Sequence, residues 1–214
     1  MHLDSLLASL IPTRSISRDR SLLSTASAVK SWLRACSETH KSCRPVQNQE
    51  ALPTRLLEIQ LGSSKLELKL VEIHGLTGLY FALSYVWGLP GNVFRTTQNN
   101  CSSLLQAIDP SSPPSVILDA VVLTRAIGVR YLWVDSLCII QDDASDWERE
   151  ALAMATVYNR ASLVISATLS QDSSYGIITS PGSQDPVLKG WIDSTTGFQA
   201  TSIWQHMRWD SKIF

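Results

Sequence analysis

The sequence predicts an open, mainly parallel α/β sheet with helices on both faces, preceded by an N-terminal helix and a β-hairpin. Three short apolar runs from residue 79 onward alternate with stretches of helical periodicity. Such alternation is typical of parallel strands, because joining a parallel pair requires a long, right-handed crossover that a helix usually supplies. With 214 residues, 44% of them apolar and 17% charged, the chain can bury one sizeable core.

A helix and a hairpin are predicted before the first of these runs. Apolar residues recur at helical spacing between residues 21 and 40, among them Val29 and Trp32. In "RLLEIQLGSSKLELKLVEI" (55–73), leucine and isoleucine alternate with polar residues on either side of Gly62. Alternation with period two around a glycine and serine turn predicts a β-hairpin with one buried face.

The first strand of the parallel sheet is predicted at "LYFALSYVWG" (79–88), which is apolar on both faces and therefore typical of a central strand. Further on, "NNCSSLLQAI" (99–108) predicts a short helix. A longer helix is predicted at "SVILDAVVLTRAIG" (115–128), with Ser115 as a candidate N-terminal cap. Gly128 lies where a left-handed residue commonly ends a helix.

Two more strands complete the predicted sheet. "VRYLWVD" (129–135) follows the long helix directly, and "ASLVISA" (161–167) is the last apolar run. Between them, Ser145 and Glu148 have the spacing of a capping box, which predicts a helix that continues to about Tyr158. The predicted order is therefore strand, helix, strand, helix, strand.

We expect three regions: a helical lead segment at 1–50, the α/β domain at 51–178, and a tail at 179–214. The tail is weakly patterned but contains three tryptophans, so we expect that it packs somewhere or that a larger domain has been cut short. Lys and Arg number 18 against 19 Asp and Glu, which leaves a net charge of −1. This balance favours neither nucleic acid nor an anionic membrane as a partner.

The chain is predicted to be cytoplasmic. It contains no uncharged apolar run of the roughly 18 residues that a membrane helix needs. Asp4 and Asp19 disfavour a transit peptide, and the apolar stretch at 6–11 is too short for a secretory signal. Without an export signal, we expect its four cysteines to be reduced.

Neither a metal site nor a nucleophilic cysteine is predicted. Cys36, His40 and Cys43 resemble part of a zinc ligand set, but a structural zinc site needs four ligands. Cys138 has no neighbouring histidine to act as a base, so we expect it to pack in the core. Phosphate-binding loops, dinucleotide glycine fingerprints and nucleophile elbows are absent from the sequence.

Candidate binding residues gather where the predicted parallel strands end, since ligands of open α/β sheets bind outside the carboxyl ends of strands. Tyr85 and Trp87 end the first strand, and Asp135 ends the second. Gln141 and Asp142 follow closely and are candidates for the same site. The alternative is that Trp87 belongs to the core and Asp135 caps the following turn. Both interpretations stay open on the sequence alone.

Glu150 is the candidate catalytic residue. Helical phase places it on the same inward arc as Trp147 and Val157. A buried carboxylate is costly unless it is paired, so an inward glutamate facing a cleft is a candidate acid, base or hydroxyl-binding group. The alternative is a buried salt bridge, for which Arg125 and Arg130 are the candidate partners.

Several motifs resemble the heterokaryon incompatibility (HET) domain of filamentous fungi. They are "LPTRLLEI" (52–59), "YFALSYVWG" (80–88) and "ILDAVVLTRAIGVRYLWVDSLCIIQDDASDWEREALAMATVYNRASLVISA" (117–167), in the order found in that family. The resemblance covers about residues 52–178, and the upstream "WLRACSETHKSC" (32–43) is similar to the segment that often precedes such domains.

The resemblance implies a role in fungal allorecognition, in which HET-domain proteins trigger growth arrest and cell death after incompatible fusion. It also implies a flavodoxin-like or TIR-like fold, because HET domains are distantly similar to Toll/interleukin-1 receptor (TIR) domains. Some TIR domains cleave NAD through a glutamate on the helix after a central strand. By that resemblance Glu150 in "DWERE" is the matching glutamate, and NAD is a substrate rather than a resident cofactor.

Three functions follow as expectations. The first is a cell-death effector that binds a nucleotide such as NAD and cleaves it. The second is a non-enzymatic signalling module that associates with itself and with other incompatibility proteins. The third is an inert, truncated member of the family.

Overall fold

The computed structural model describes residues 21–39, 51–87, 93–167, 173–174 and 176–178, and these residues form the predicted α/β sheet with its N-terminal helix and hairpin. The elements in chain order are helix α1 (Leu22–Thr39), strands β1 (Arg55–Ile59), β2 (Leu68–Glu72) and β3 (Tyr80–Ser84), helices α2 (Cys101–Gln106) and α3 (Ser115–Ile127), strand β4 (Tyr131–Val134), helices α4 (Asp135–Cys138) and α5 (Ala144–Arg160), and strand β5 (Leu163–Ser166).

The five strands lie in the order β2-β1-β4-β3-β5. β3 is an interior strand that pairs in parallel with both β4 and β5, as expected of a strand with two apolar faces. β1 runs antiparallel to both β2 and β4, so the hairpin extends the parallel part of the sheet. Leu57 lies opposite Leu70 and Ile59 opposite Leu68 in the hairpin register, which confirms the predicted buried face.

Helices cover both faces of the sheet. The connection from β3 through α3 leads to one neighbour, β4, and the connection through α5 leads back across β3 to the other neighbour, β5. Crossovers between parallel strands are right-handed almost always, so connections that move in opposite directions along the sheet place their helices on opposite faces. Tyr80 and Trp133 lie on the α5 face: the Tyr80 hydroxyl donates to the Val157 carbonyl (2.5 Å), and the Trp133 ring packs edge-on against Tyr158 with centroids 5.2 Å apart.

The core lies between the sheet and its helices. Side chains alternate between the two faces of a strand, so the face opposite Tyr80 carries Phe81 and Leu83. Burial of an aliphatic or aromatic side chain of this size stabilises the fold by roughly 1.5–3 kcal/mol. The largest fully buried side chains are Trp133, Phe81, Leu56, Leu57, Ile59, Leu70, Leu83, Ile117, Leu132, Leu137, Val116 and Val121.

Helix α3 has the predicted C-terminus but not the predicted N-terminal cap. Pro114 is the N-cap residue, and the Ser115 side chain makes no capping hydrogen bond. Proline suits this position because its missing N–H would have no helical partner in any case. Gly128 has a left-handed φ of 95°, and its N–H donates to Arg125 and Thr124, as expected of a glycine that ends a helix.

Helix α5 begins earlier than predicted, at Ala144, and the predicted capping box is wrong. Asp143 is the N-cap residue, and its side chain accepts hydrogen bonds from the Ser145 and Asp146 amides. Asp143 lies two residues before Ser145, and its carboxylate is the stronger acceptor, so it takes the place predicted for Ser145. Trp147, predicted to point inward, is 53% exposed. Its place on the buried face is taken by Asp146.

Among the described helices, none combines the length and the apolarity that a membrane crossing requires.

Candidate functional site

Two polar clusters lie along the carboxyl edge of β4. The first, called the Asp135 cluster, consists of Tyr85, Trp87, Asp135 and Ser136. The second, called the Arg55 cluster, consists of Arg55, Asp146, Arg149 and Glu150. Because β1 runs antiparallel to β4, its first residue, Arg55, reaches the edge where β4 ends.

The Asp135 cluster joins the ends of β3 and β4 through hydrogen bonds. The indole Nε1–H of Trp87 donates to Asp135 Oδ2 (2.9 Å), and the Ser136 amide donates to Asp135 Oδ1 (2.7 Å). The Tyr85 hydroxyl donates to the Ser136 hydroxyl (2.8 Å). The three residues predicted to meet at this edge, Tyr85, Trp87 and Asp135, are therefore neighbours. Their role in binding a ligand stays a prediction.

Burial of the Asp135 cluster favours the protonated, neutral forms of Asp135 and Tyr85. Burial raises the pKa of Asp135, and the hydrogen bonds from Trp87 and the Ser136 amide only partly oppose that rise. Burial also raises the pKa of Tyr85, so its hydroxyl stays protonated at physiological pH. Within the described ranges, no lysine or arginine forms an ion pair with Asp135. The Asp135 carboxyl group can therefore either bind a proton or form an ion pair with a positively charged group of a ligand.

Gln141 reaches the Asp135 cluster, whereas Asp142 does not. Gln141 Nε2 donates to the Asp135 carbonyl and to the Ile139 carbonyl, each at 3.0 Å, so its side-chain amide closes the turn after α4. Asp142 binds Gln98 instead: its Oδ1 accepts from the Gln98 amide at 2.8 Å. Asp142 therefore ties the turn to the exposed chain before α2, and its predicted part in a binding site has no support from these contacts.

Glu150 points into the molecule, as its helical phase predicts, and its side chain is only 3% exposed. Its Oε1 lies 3.4 Å from Arg149 Nε and 3.8 Å from Arg55 Nη2. The salt bridge predicted as an alternative is present, but not with the predicted arginines. Of those two, Arg125 instead donates to the Ser63 carbonyl.

Arg55 is the central residue of its cluster. It forms an ion pair with Asp146 and donates from Nε to the Cys138 carbonyl (2.8 Å). Burial lowers the pKa of Arg55, but the hydrogen bond to Asp146 and the charges of Asp146 and Glu150 outweigh that effect, so the pKa is raised. The Arg55 guanidinium therefore stays charged between the carboxylates of two buried acids. Asp146 is held further by Arg149 and by the Ile140 amide (2.9 Å).

The short helix α4 connects the two clusters. It begins at Asp135 and ends at Cys138, whose carbonyl accepts from Arg55. The Cys138 Sγ accepts from the Val134 amide (3.4 Å), and burial raises the pKa of its thiol to about 12. A thiol with that pKa is almost entirely protonated at physiological pH, so it is a poor nucleophile. This agrees with the packing role predicted from the sequence.

Arg55 and Asp146 were not predicted as site residues. A signal for Arg55 was present, because the alternation that places Leu57 and Ile59 on the buried face places Arg55 there as well. A buried arginine requires an acidic partner, and Asp146 lies one turn before Glu150 on the inward side of α5.

The described residues contain no group of three histidine, cysteine, aspartate or glutamate side chains that could hold a metal ion. His40 and Cys43, considered in the sequence with Cys36, lie outside the described residues.

Comparison with known proteins gives one family. The model of the family described as "Heterokaryon incompatibility protein (HET)" matches residues 80–210, which is more than half of the chain. The match includes β3, β4 and α5, and with them every residue of both clusters except Arg55. No curated protein and no solved structure is significantly similar to the chain.

Proposed function

This chain belongs to the heterokaryon incompatibility (HET) family, and we propose that it acts in fungal allorecognition by triggering growth arrest and cell death after incompatible fusion. The family match and the sequence motifs support this role. The part of the protein that carries it is the carboxyl edge of β3 and β4, because open α/β sheets bind ligands outside the ends of parallel strands.

We propose further that this edge binds a nucleotide, with NAD as the substrate. The observation that carries this proposal is an inward glutamate on α5 beside an edge that presents Tyr85, Trp87 and Asp135. In the reaction, the bond between ribose and nicotinamide breaks with its electrons leaving on nicotinamide. Water then adds to the ribose and loses a proton, which gives ADP-ribose. An ionised Glu150 would stabilise the positive charge that develops on the ribose.

The proposal is tested by expressing the chain in a fungal host and recording both viability and cellular NAD. Wild type is compared with Glu150→Gln, which keeps the shape of the side chain and removes its charge. Glu148→Gln is the matched control, because Glu148 lies on the exposed face of the same helix. We expect wild type and Glu148→Gln to lower NAD and stop growth, and Glu150→Gln to do neither.

A second function, a non-enzymatic module that signals by self-association, is favoured by a specific observation. The Glu150 side chain is only 3% exposed and already faces two arginines, as expected of a structural ion pair. In that case, growth arrest persists in Glu150→Gln while cellular NAD stays constant in every strain. Growth arrest without NAD loss therefore supports the module and excludes the enzyme, whereas normal growth of the wild-type strain argues against both.

A further inference from the structure

Part of the chain after β5 contacts helix α3 through the carboxylate of Asp119. The described part of that chain, residues 173–174 and 176–178, is called the post-β5 segment. Asp119 Oδ2 accepts hydrogen bonds from the Ile177 amide (2.7 Å) and the Ile178 amide (2.9 Å). Hydrogen bonds from amides to an ionised acceptor are stronger than those between neutral groups. A single side chain thus holds two consecutive amides that are almost sixty residues further along the chain.

Gly176 allows this close approach. A Cβ atom at Gly176 would clash with the Asp119 carboxylate, so with any larger residue either the Asp119 side chain or the segment must move, and the hydrogen bonds between them are disturbed. Glycine is needed here because of space, since its side-chain position is occupied by a neighbouring oxygen.

The same segment contacts the Asp135 cluster. The Ser173 hydroxyl donates to the Trp87 carbonyl (3.0 Å), and the Ser173 carbonyl accepts from the Val116 amide in the first turn of α3 (3.2 Å). Trp87 in turn donates its indole N–H to Asp135. Hydrogen bonds therefore run from α3 through the post-β5 segment to Trp87 and then to Asp135.

We propose that Asp119 is a positioning residue for the Asp135 cluster, acting through the post-β5 segment. With the Asp119 bonds made, Ser173 holds the backbone of Trp87, and the indole stays aligned with Asp135. When the segment is displaced, Ser173 leaves Trp87, and the hydrogen bond that shields the Asp135 carboxyl group weakens. A displacement of the post-β5 segment is thereby transmitted to the site, whether or not that site binds NAD.

The proposal is tested by NMR on the ligand-free protein. Solvent exchange is measured for the Ile177 and Ile178 amides and for the Trp87 indole N–H, which is assigned by its loss in Trp87→Phe. We expect Asp119→Ala to speed exchange at all three groups by about tenfold, the effect of losing charge-assisted hydrogen bonds in a locally opening segment. Asp119→Asn keeps an acceptor oxygen and is expected to give a smaller effect.

Two further variants separate positioning from general destabilisation. Gly176→Ala leaves α3 unchanged and is expected to reproduce the effect of Asp119→Ala. Asp109→Ala removes another carboxylate that accepts a backbone amide, from Ser111 (2.9 Å), and is expected to leave the Trp87 indole unchanged. The Trp147 indole on α5 serves as the internal reference.

Each outcome decides the proposal. Faster exchange at Ile177, Ile178 and Trp87 in both Asp119→Ala and Gly176→Ala supports it. Faster exchange at the two amides with an unchanged Trp87 indole overturns the transmission to the site. Unchanged amides in a folded Asp119→Ala overturn the attachment itself, and if that variant does not fold, Gly176→Ala and Asp119→Asn decide in the same way.

Discussion

Arg55 sets the charge balance of its cluster. It is buried, and the two acids that neutralise it, Asp146 and Glu150, are buried as well. A buried group of ion pairs contributes little more to the free energy of unfolding than well-packed apolar side chains of the same volume would. Removing one of the ions, however, leaves its partners without their full set of opposite charges in a medium of low dielectric constant. The cluster is therefore more sensitive to single substitutions than to neutralisation as a whole.

Arg55→Met should lower the free energy of unfolding by about 3–5 kcal/mol, because Asp146 and Glu150 would stay buried after losing their buried cation, with only the half-exposed Arg149 of this cluster still paired with them. Urea denaturation measures this. Arg34→Met is the control, because Arg34 forms an exposed ion pair with Glu38 (3.7 Å) and its loss should change little. Adding Asp146→Asn and Glu150→Gln to Arg55→Met should restore part of the loss. Equal stability of Arg55→Met and Arg34→Met would contradict this account.

Asp135 should make stability depend on pH in a defined direction. Its pKa is raised in the folded protein by burial, so between its ordinary value and the raised value the folded state binds more protons than the unfolded state. The free energy of unfolding that Asp135 contributes therefore falls as pH rises through that window. Wild type minus Asp135→Asn, measured by urea denaturation from about pH 4 to about pH 7, isolates this contribution. A difference that grows with pH would show that the carboxyl group prefers to be charged.

Part of this residue-scale chemistry could be predicted. Helical phase is enough to point Glu150 inward, and the strand period points Arg55 inward. The pairing of Arg55 with Asp146 could not be predicted, because the two residues are 91 positions apart and meet only when β1 lies beside β4. Trp147 shows the limit of helical phase, since a large side chain at the margin of an apolar arc turns to solvent when smaller charged groups are paired inside.

At the scale of elements, periodicity identifies the long helices and the strands, but not the short helix α4. Four residues make one helical turn, which leaves no period to detect, and "DSLC" follows an apolar strand without a break. N-cap residues are similarly difficult to predict from the sequence. Ser145 and Asp143 are both good N-cap residues, and which of them caps the helix depends on where the preceding turn ends.

The C-terminus of α3 offers a test of one element alone. Gly128 has a φ of 95°, and a Cβ atom there would meet nothing within 4 Å, so the cost of Gly128→Ala comes from the backbone. We expect a loss of about 1 kcal/mol in the free energy of unfolding. Gly78→Ala is the control, because Gly78 has no positive φ and its added methyl group would only contact Leu52. A loss no larger than that of the control would contradict the left-handed assignment.

At the scale of the whole molecule, strand order determines which residues meet. The alternation of strands and helices predicts a parallel sheet but not its order, because both neighbours of β3 are compatible with the same pattern. The observed order places β4 and β3 side by side, which joins Trp87 to Asp135, and places β1 next to β4, which brings Arg55 to Asp146. Both clusters thus depend on pairings between segments distant in the chain.

We propose above that the carboxyl edge of β3 and β4 acts on NAD through Glu150. The most direct measurement is the NAD that remains after incubation with purified, clustered protein, for wild type, Glu150→Gln and Glu148→Gln, with circular dichroism showing that all three are folded. We predict that wild type and Glu148→Gln consume NAD and release nicotinamide, while Glu150→Gln leaves NAD intact. Equal NAD levels with wild type and Glu150→Gln would contradict a catalytic role for Glu150.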